Sequence, residues 1–163
     1  MKKLINKVIL ALLFFVLVSP AMAAPGVSFN ESKIKLRAGN VFVLDILMSD
    51  FPLSEGGGVT LKFDSAVIRV DEINVNTESW NFVSTPGRIK NTDGIVSDVL
   101  FSSYKGVLGD ALIATVTFTA LQAGKSVITI EESSVNPFSS DGNKVIVNFD
   151  NANVHVIPMK GVR

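Results

Sequence analysis

The chain has 163 residues, with 15 Lys and Arg against 15 Asp and Glu, a formal net charge of zero and no cysteine. The missing thiols exclude disulfide staples and thiolate-bound zinc. Lys and Arg are scattered along the sequence, which gives no basic stripe of the kind that recruits nucleic acid.

The N-terminus reads as a targeting segment. Lys2, Lys3 and Lys7 form its basic part, Val8 to Val18 its apolar run, and Ala21-Met22-Ala23 a small-residue cleavage site. An apolar run of about 11 residues falls short of the roughly 20 needed to span a bilayer. The sequence therefore predicts a Sec-type signal peptide over residues 1–23, cleaved after Ala23, and a secreted or periplasmic product with no membrane attachment afterwards. Loss of the three lysines leaves 12 basic against 15 acidic side chains, hence a net charge of −3. Residues 24–163 suffice for one domain with a sizeable core.

From Ser32 onward, short alternating or β-branched runs are separated by Gly, Asn, Asp, Ser and Pro, and no segment holds a helical period for three turns. Strands are expected at Ser32–Leu36, Val41–Met48, Gly58–Phe63, Val67–Val75, Trp80–Ser84, Ile95–Ser102, Leu112–Ala120, Ser126–Glu131, Lys144–Phe149 and Asn153–Ile157. Val59, Leu61 and Phe63 share one face of their strand, and Asp64-Ser65 turns the chain into the next. Asn76 to Trp80 has the composition of a single capped helical turn. Asp141-Gly142-Asn143 reads as a hairpin turn. Burying Val116 and Phe118 would stabilise by about 1.5–3 kcal/mol each before the entropy cost. Many short strands with regular punctuation predict an all-β sandwich.

Four segments in order resemble the cohesin domain family: AGNVFVLDILMSDFP (residues 38–52), VTLKFDSAVIRVDEI (59–73), GDALIATVTFTALQAGKSVITI (109–130) and SSDGNKVIVNFDNANVHV (139–156). The second is similar to the family's F-x-L-x-Y-D-P-x-V-L-x-V run, with Ser65 where proline is usual. The likeness spans roughly residues 27–157 and implies a jelly-roll β-sandwich of about nine strands. It also implies a non-catalytic module whose partner in scaffold proteins is dockerin, a small calcium-binding domain. Family members often carry Asn and Asp facing dockerin on the approach to the second segment. Here that approach is Gly56-Gly57-Gly58, which offers backbone amides and no side-chain acceptors, so a dockerin partner of the scaffold kind is doubtful and the triplet reads as a flexible turn or a bulge.

Catalytic chemistry finds little support. His155, the only histidine, sits in an alternating strand between Val154 and Val156 and has no triad or metal-ligand spacing around it. Asp71-Glu72 and Glu131-Glu132 are neighbours on strands and should point to opposite faces, as solvated strand edges rather than as a pair of glycosidase carboxylates. The oxygens of Asp141 to Asn143 and Asp150 to Asn153 lack EF-hand spacing, so no metal and no cofactor are assigned.

The sequence thus predicts a secreted, non-enzymatic binding module for an exported protein partner, with links to polysaccharide processing. Thr60, Lys62, Ser102 and Tyr104 are expected to project outward as partner-binding residues. The alternatives are a carbohydrate-binding module, with Trp80 and Tyr104 as rings for stacking a glycan, and a structural matrix or envelope component. Beside the glycan role, Trp80 has the competing reading of a core cap next to Phe82.

Overall fold

Eleven strands build the domain: β1 (Gly26–Phe29), β2 (Lys33–Arg37), β3 (Val41–Lys62), β4 (Ile68–Val75), β5 (Phe82–Lys90), β6 (Ile95–Ala120), β7 (Gly124–Glu132), β8 (Ser139–Ser140), β9 (Asn143–Lys144), β10 (Asn148–Phe149) and β11 (Ala152–Ile157). The computed structural model describes residues 23–159, and no helix occurs among them. Apart from Ala23, the expected leader lies outside the described residues.

β3 and β6 organise the fold. They are 22 and 26 residues long and run antiparallel from Val41 opposite Thr119 to Lys62 opposite Ile95. Four strands expected as separate are therefore halves of two. Register shifts between Ile46 and Gly56 bend the pair, and Asp50 adopts a positive φ of 56° within the bend. The first half of β3 and the second half of β6 lie in one layer, with strand order β10-β1-β3-β6-β4. The remaining halves lie in the other, as β5-β6-β3-β7, which β7 extends through β11 to β2. The result is the all-β sandwich that the strand pattern predicts.

The core closes between the layers. Phe118 is fully buried, stacks on Phe42 at 5.0 Å between centroids and meets Phe63 edge-on at 6.3 Å. Phe138 is the hub of a second aromatic cluster, with Phe51, Phe101 and Phe149 at 5.2, 5.9 and 6.3 Å. Val59, Leu61, Val96 and Val99 face inward from the β3–β6 pair of the second layer. With no cysteine, these contacts and the strand ladders carry the stability.

The turns follow their chemistry. Asp64 accepts at Oδ1 from the Ala66 amide (2.9 Å), and its carbonyl accepts from Val67 and Ile68 at 3.0 Å each, turning the chain from β3 into β4. Asn76 accepts from the Glu78 amide, and the Trp80 amide donates to the Asn76 carbonyl at 3.0 Å, which closes the expected single helical turn. Asp141 and Gly142 have φ of 49° and 71° between β8 and β9, as a two-residue hairpin loop requires.

Two strand expectations change. β5 starts at Phe82 and runs to Lys90 through Pro86 and Gly87; it pairs only with β6, so Pro86 needs no second partner. Lys144 to Phe149 divides into β9 and β10 with an irregular link between them. The acidic pairs also differ from one another. A bulge at Asp71 brings Asp71 and Glu72 to solvent together, with Asp71 paired to Arg69 and receiving the Thr119 hydroxyl. Glu131 and Glu132 do diverge, and they lie where β7 pairs with β3 alone, beyond the last β11 partner at Ile128; Glu131 pairs with Lys62 and Glu132 with Lys144.

Candidate partner-binding face

Residues opposite each other in an antiparallel ladder share a face. In the second layer the inward set Val59, Leu61, Val96, Val99 and Phe101 leaves Thr60, Lys62, Ser102 and Tyr104 on the outward side. The ladder partners complete that face: Glu131 opposite Thr60, Thr129 opposite Lys62, and Phe82 opposite Ser102. The four residues named from the sequence thus occupy one surface, at two ends of it.

The aromatic end is the more accessible. Tyr104 is 84% exposed and Phe82 50%, with ring centroids 6.4 Å apart. The Tyr104 amide donates to Asn81 Oδ1 at 3.3 Å, and the Ser102 hydroxyl donates to the Phe82 carbonyl at 3.5 Å, tying β5 to β6 beneath the two rings. Phe82 did not stand out in the sequence as a surface residue; its ladder position opposite Ser102 is the signal that identifies it.

The polar end is closed down. Lys62 and Glu131 form a cross-strand ion pair, both about half exposed. Thr60 faces outward yet is only 9% exposed, because Glu131 stands on one flank and the irregular Ser97-Asp98 stretch of β6 on the other. Its expected role as a free contact residue is therefore corrected. Asp98 has a φ of 58°, and its carboxylate accepts from the Ser133 hydroxyl at 3.3 Å.

Between the two ends lies the glycine triplet, which is no turn: it lies within β3, entered through a register irregularity between Ser54 and Gly56, so of the two expected readings the bulge is the one the structure has. Gly56, Gly57 and Gly58 are buried within β3. A Cβ on Gly57 would stand 2.6 Å from the Phe138 ring, and one on Gly58 would stand 2.6 Å from Leu100 and 2.9 Å from Ser133. The chain from Ser133 to Phe138 runs alongside, with the Ser133 amide donating to Gly58 O and Asn136 Nδ2 to Gly57 O, each at 2.8 Å. Side chains are missing here because neighbouring groups fill the space.

Trp80 is also corrected as a stacking ring. It is 0% exposed, its indole packs on Phe101 at 4.7 Å, and Nε1 donates to Leu112 O at 3.1 Å. Its apolar body and its one donor are both satisfied internally, so no face is offered to a sugar. Phe82, the expected neighbour in the core, lies outside it. His155 is exposed on β11, opposite Lys35 of β2 and Lys125 of β7.

No family model matches the chain, and no curated protein matches it by sequence. Solved structures do match. The OlpC cohesin of a type I cohesin–dockerin complex from Clostridium thermocellum has a TM-score of 0.69 at 16% identity, covering 87% of this chain and 99% of that one. A non-cellulosomal cohesin from the archaeon Archaeoglobus fulgidus gives 0.68 at 14%, covering 83% and 92%. The third ScaC cohesin of Acetivibrio cellulolyticus, in complex with the ScaB dockerin, gives 0.63 at 20%, covering 82% and 99%. The chain is similar to these over nearly its whole described length, and its fold is that of a cohesin domain.

Proposed function

We propose that the chain is an exported, non-catalytic module that binds a protein partner through the outward face of β5, β6, β3 and β7. The observation that carries this reading is the exposed Phe82–Tyr104 pair beside Ser102, on a broad sheet face instead of in an enclosed cleft. Aromatic anchors of this kind dominate the energetics of protein interfaces. Two of the three similar structures, the OlpC and ScaC cohesins, are named as complexes with dockerin, which supports a dockerin-type or other exported partner. The leader-like residues 1–23 support secretion or delivery to the periplasm.

Titration of the purified protein against a panel of dockerins and of proteins co-exported by the same cells tests the reading. A specific partner should bind, and Tyr104→Ala should weaken it by roughly 10- to 30-fold, as for an interface anchor worth about 2 kcal/mol. Binding unchanged in a Phe82→Ala/Tyr104→Ala double variant would remove the face from consideration. Mass spectrometry of the exported protein should give a mature N-terminus at Ala24.

The 84% exposure of Tyr104 also favours a second reading, a soluble glycan held by that one ring. It predicts retardation in polysaccharide gels that Tyr104→Ala abolishes. A purely structural matrix role predicts self-association with neither ligand.

A further inference from the structure

Lys33, Lys35, His155 and Lys125 are far apart in the sequence and adjacent in the fold. Parallel pairing sets His155 beside Lys35 and Asn153 beside Lys33; antiparallel pairing sets His155 beside Lys125 and Asn153 beside Val127. Strands lie about 4.8 Å apart and alternate residues about 7 Å along a strand, so these groups form a two-row grid on one face of β2, β11 and β7. The inward neighbours Val154 and Ser126 are buried, while the grid residues are exposed. They line a groove of about 390 Å³.

Lys35 and Lys125 flank His155 from either side, two strand spacings or about 9.6 Å apart, and a carboxylate among them would offset their charge. None is engaged here. Among the described residues the ion pairs fall to Lys62, Arg69 and Lys144, leaving Lys33, Lys35 and Lys125 outside them. Arg37 continues the row along β2, its guanidinium donating to Pro158 O. This cationic concentration stands on a chain whose sequence charge is zero.

We propose that this groove binds an acidic polysaccharide, a polymer carrying a carboxylate on successive sugars. Lysines at regular spacings match a line of anions. Asn153 supplies an amide for sugar hydroxyls, and the half-exposed Val127 an apolar surface for a ring face. Among the groove's lining residues there is no Phe, Tyr or Trp to stack nucleic-acid bases, and the His155 imidazole is a single small ring. Its concavity suits a single chain better than a flat lipid surface.

Affinity electrophoresis of the purified protein through polygalacturonate and, in parallel, through neutral hydroxyethylcellulose tests this. Retardation is expected in polygalacturonate alone, falling as salt is added. The Lys35→Glu/Lys125→Glu variant should bind at least tenfold more weakly, and Lys105→Glu, a charge reversal at an exposed lysine outside the groove, should bind nearly as the parent does, which ties the loss to the groove. A Lys35→Gln/Lys125→Gln variant provides the same reading with less perturbation of the sheet. Equal retardation in the neutral gel, none in either gel, or undiminished binding by both double variants would overturn the proposal. So would tighter binding to poly-glutamate, single-stranded DNA or anionic vesicles than to polygalacturonate.

Discussion

At the scale of single residues, the glycine triplet gives the sharpest test of how this domain is packed. Phe138 cannot yield to a Cβ on Gly57 without disturbing three aromatic neighbours, so Gly57→Ala should destabilise the fold by about 1–3 kcal/mol, the usual cost of overpacking. Urea unfolding measures it. The same substitution in a Phe138→Leu background should cost distinctly less, because the clash is specific to the ring; equal costs in both backgrounds would contradict the packing. The sequence holds no sign of this arrangement. Three consecutive glycines read locally as a turn, and only the docking of residues 133–138, more than seventy positions away, explains why no side chain fits there.

The elements themselves were legible where the period-2 pattern was clean and illegible where punctuation residues sit in extended backbone. Leu112 to Ala120 alternates clearly and is a strand, but Asp50, Pro52 and Gly56 look like breaks and are merely the bend of a continuous β3. Phe118 stands at the centre of the β3–β6 ladder. Phe118→Asp should abolish cooperative thermal unfolding, because losing the ring costs about 3–5 kcal/mol and an unpaired buried carboxylate adds to that, against a typical total of about 5–15 kcal/mol. A sharp melt would show that the ladder tolerates the charge. β4 has a second tether: Asn91 Nδ2 donates to Val70 O and its Oδ1 accepts from Val70 N, both at 2.8 Å, beside the Asp71 bulge. Asn91→Ala should cost about 2 kcal/mol by orphaning both backbone groups, and should raise hydrogen exchange at Val70 before it does so at Val116.

Over the whole molecule, the candidate site was only half legible for a physical reason: a face is made by pairing, and pairing is long-range. Tyr104, Ser102 and Lys62 could be assigned outward from their own strands, whereas Phe82 and the lysine grid acquire meaning only from the registers that bring β5, β7, β11 and β2 alongside. Lys and Arg that look scattered in the sequence are gathered by the fold. The same long-range pairing bears on stability. Because β3 and β6 each run through both layers, neither layer can unfold while the other keeps its central strands. Leu44 lies in the first half of β3 and Leu61 in the second, both fully buried. Leu44→Ala and Leu61→Ala should each cost about 2–5 kcal/mol and each lower one common thermal transition by roughly 10 °C. Calorimetric and van't Hoff enthalpies should agree in both variants. Two resolved transitions in either one would mean that the layers unfold separately and that the continuous strands do not couple them.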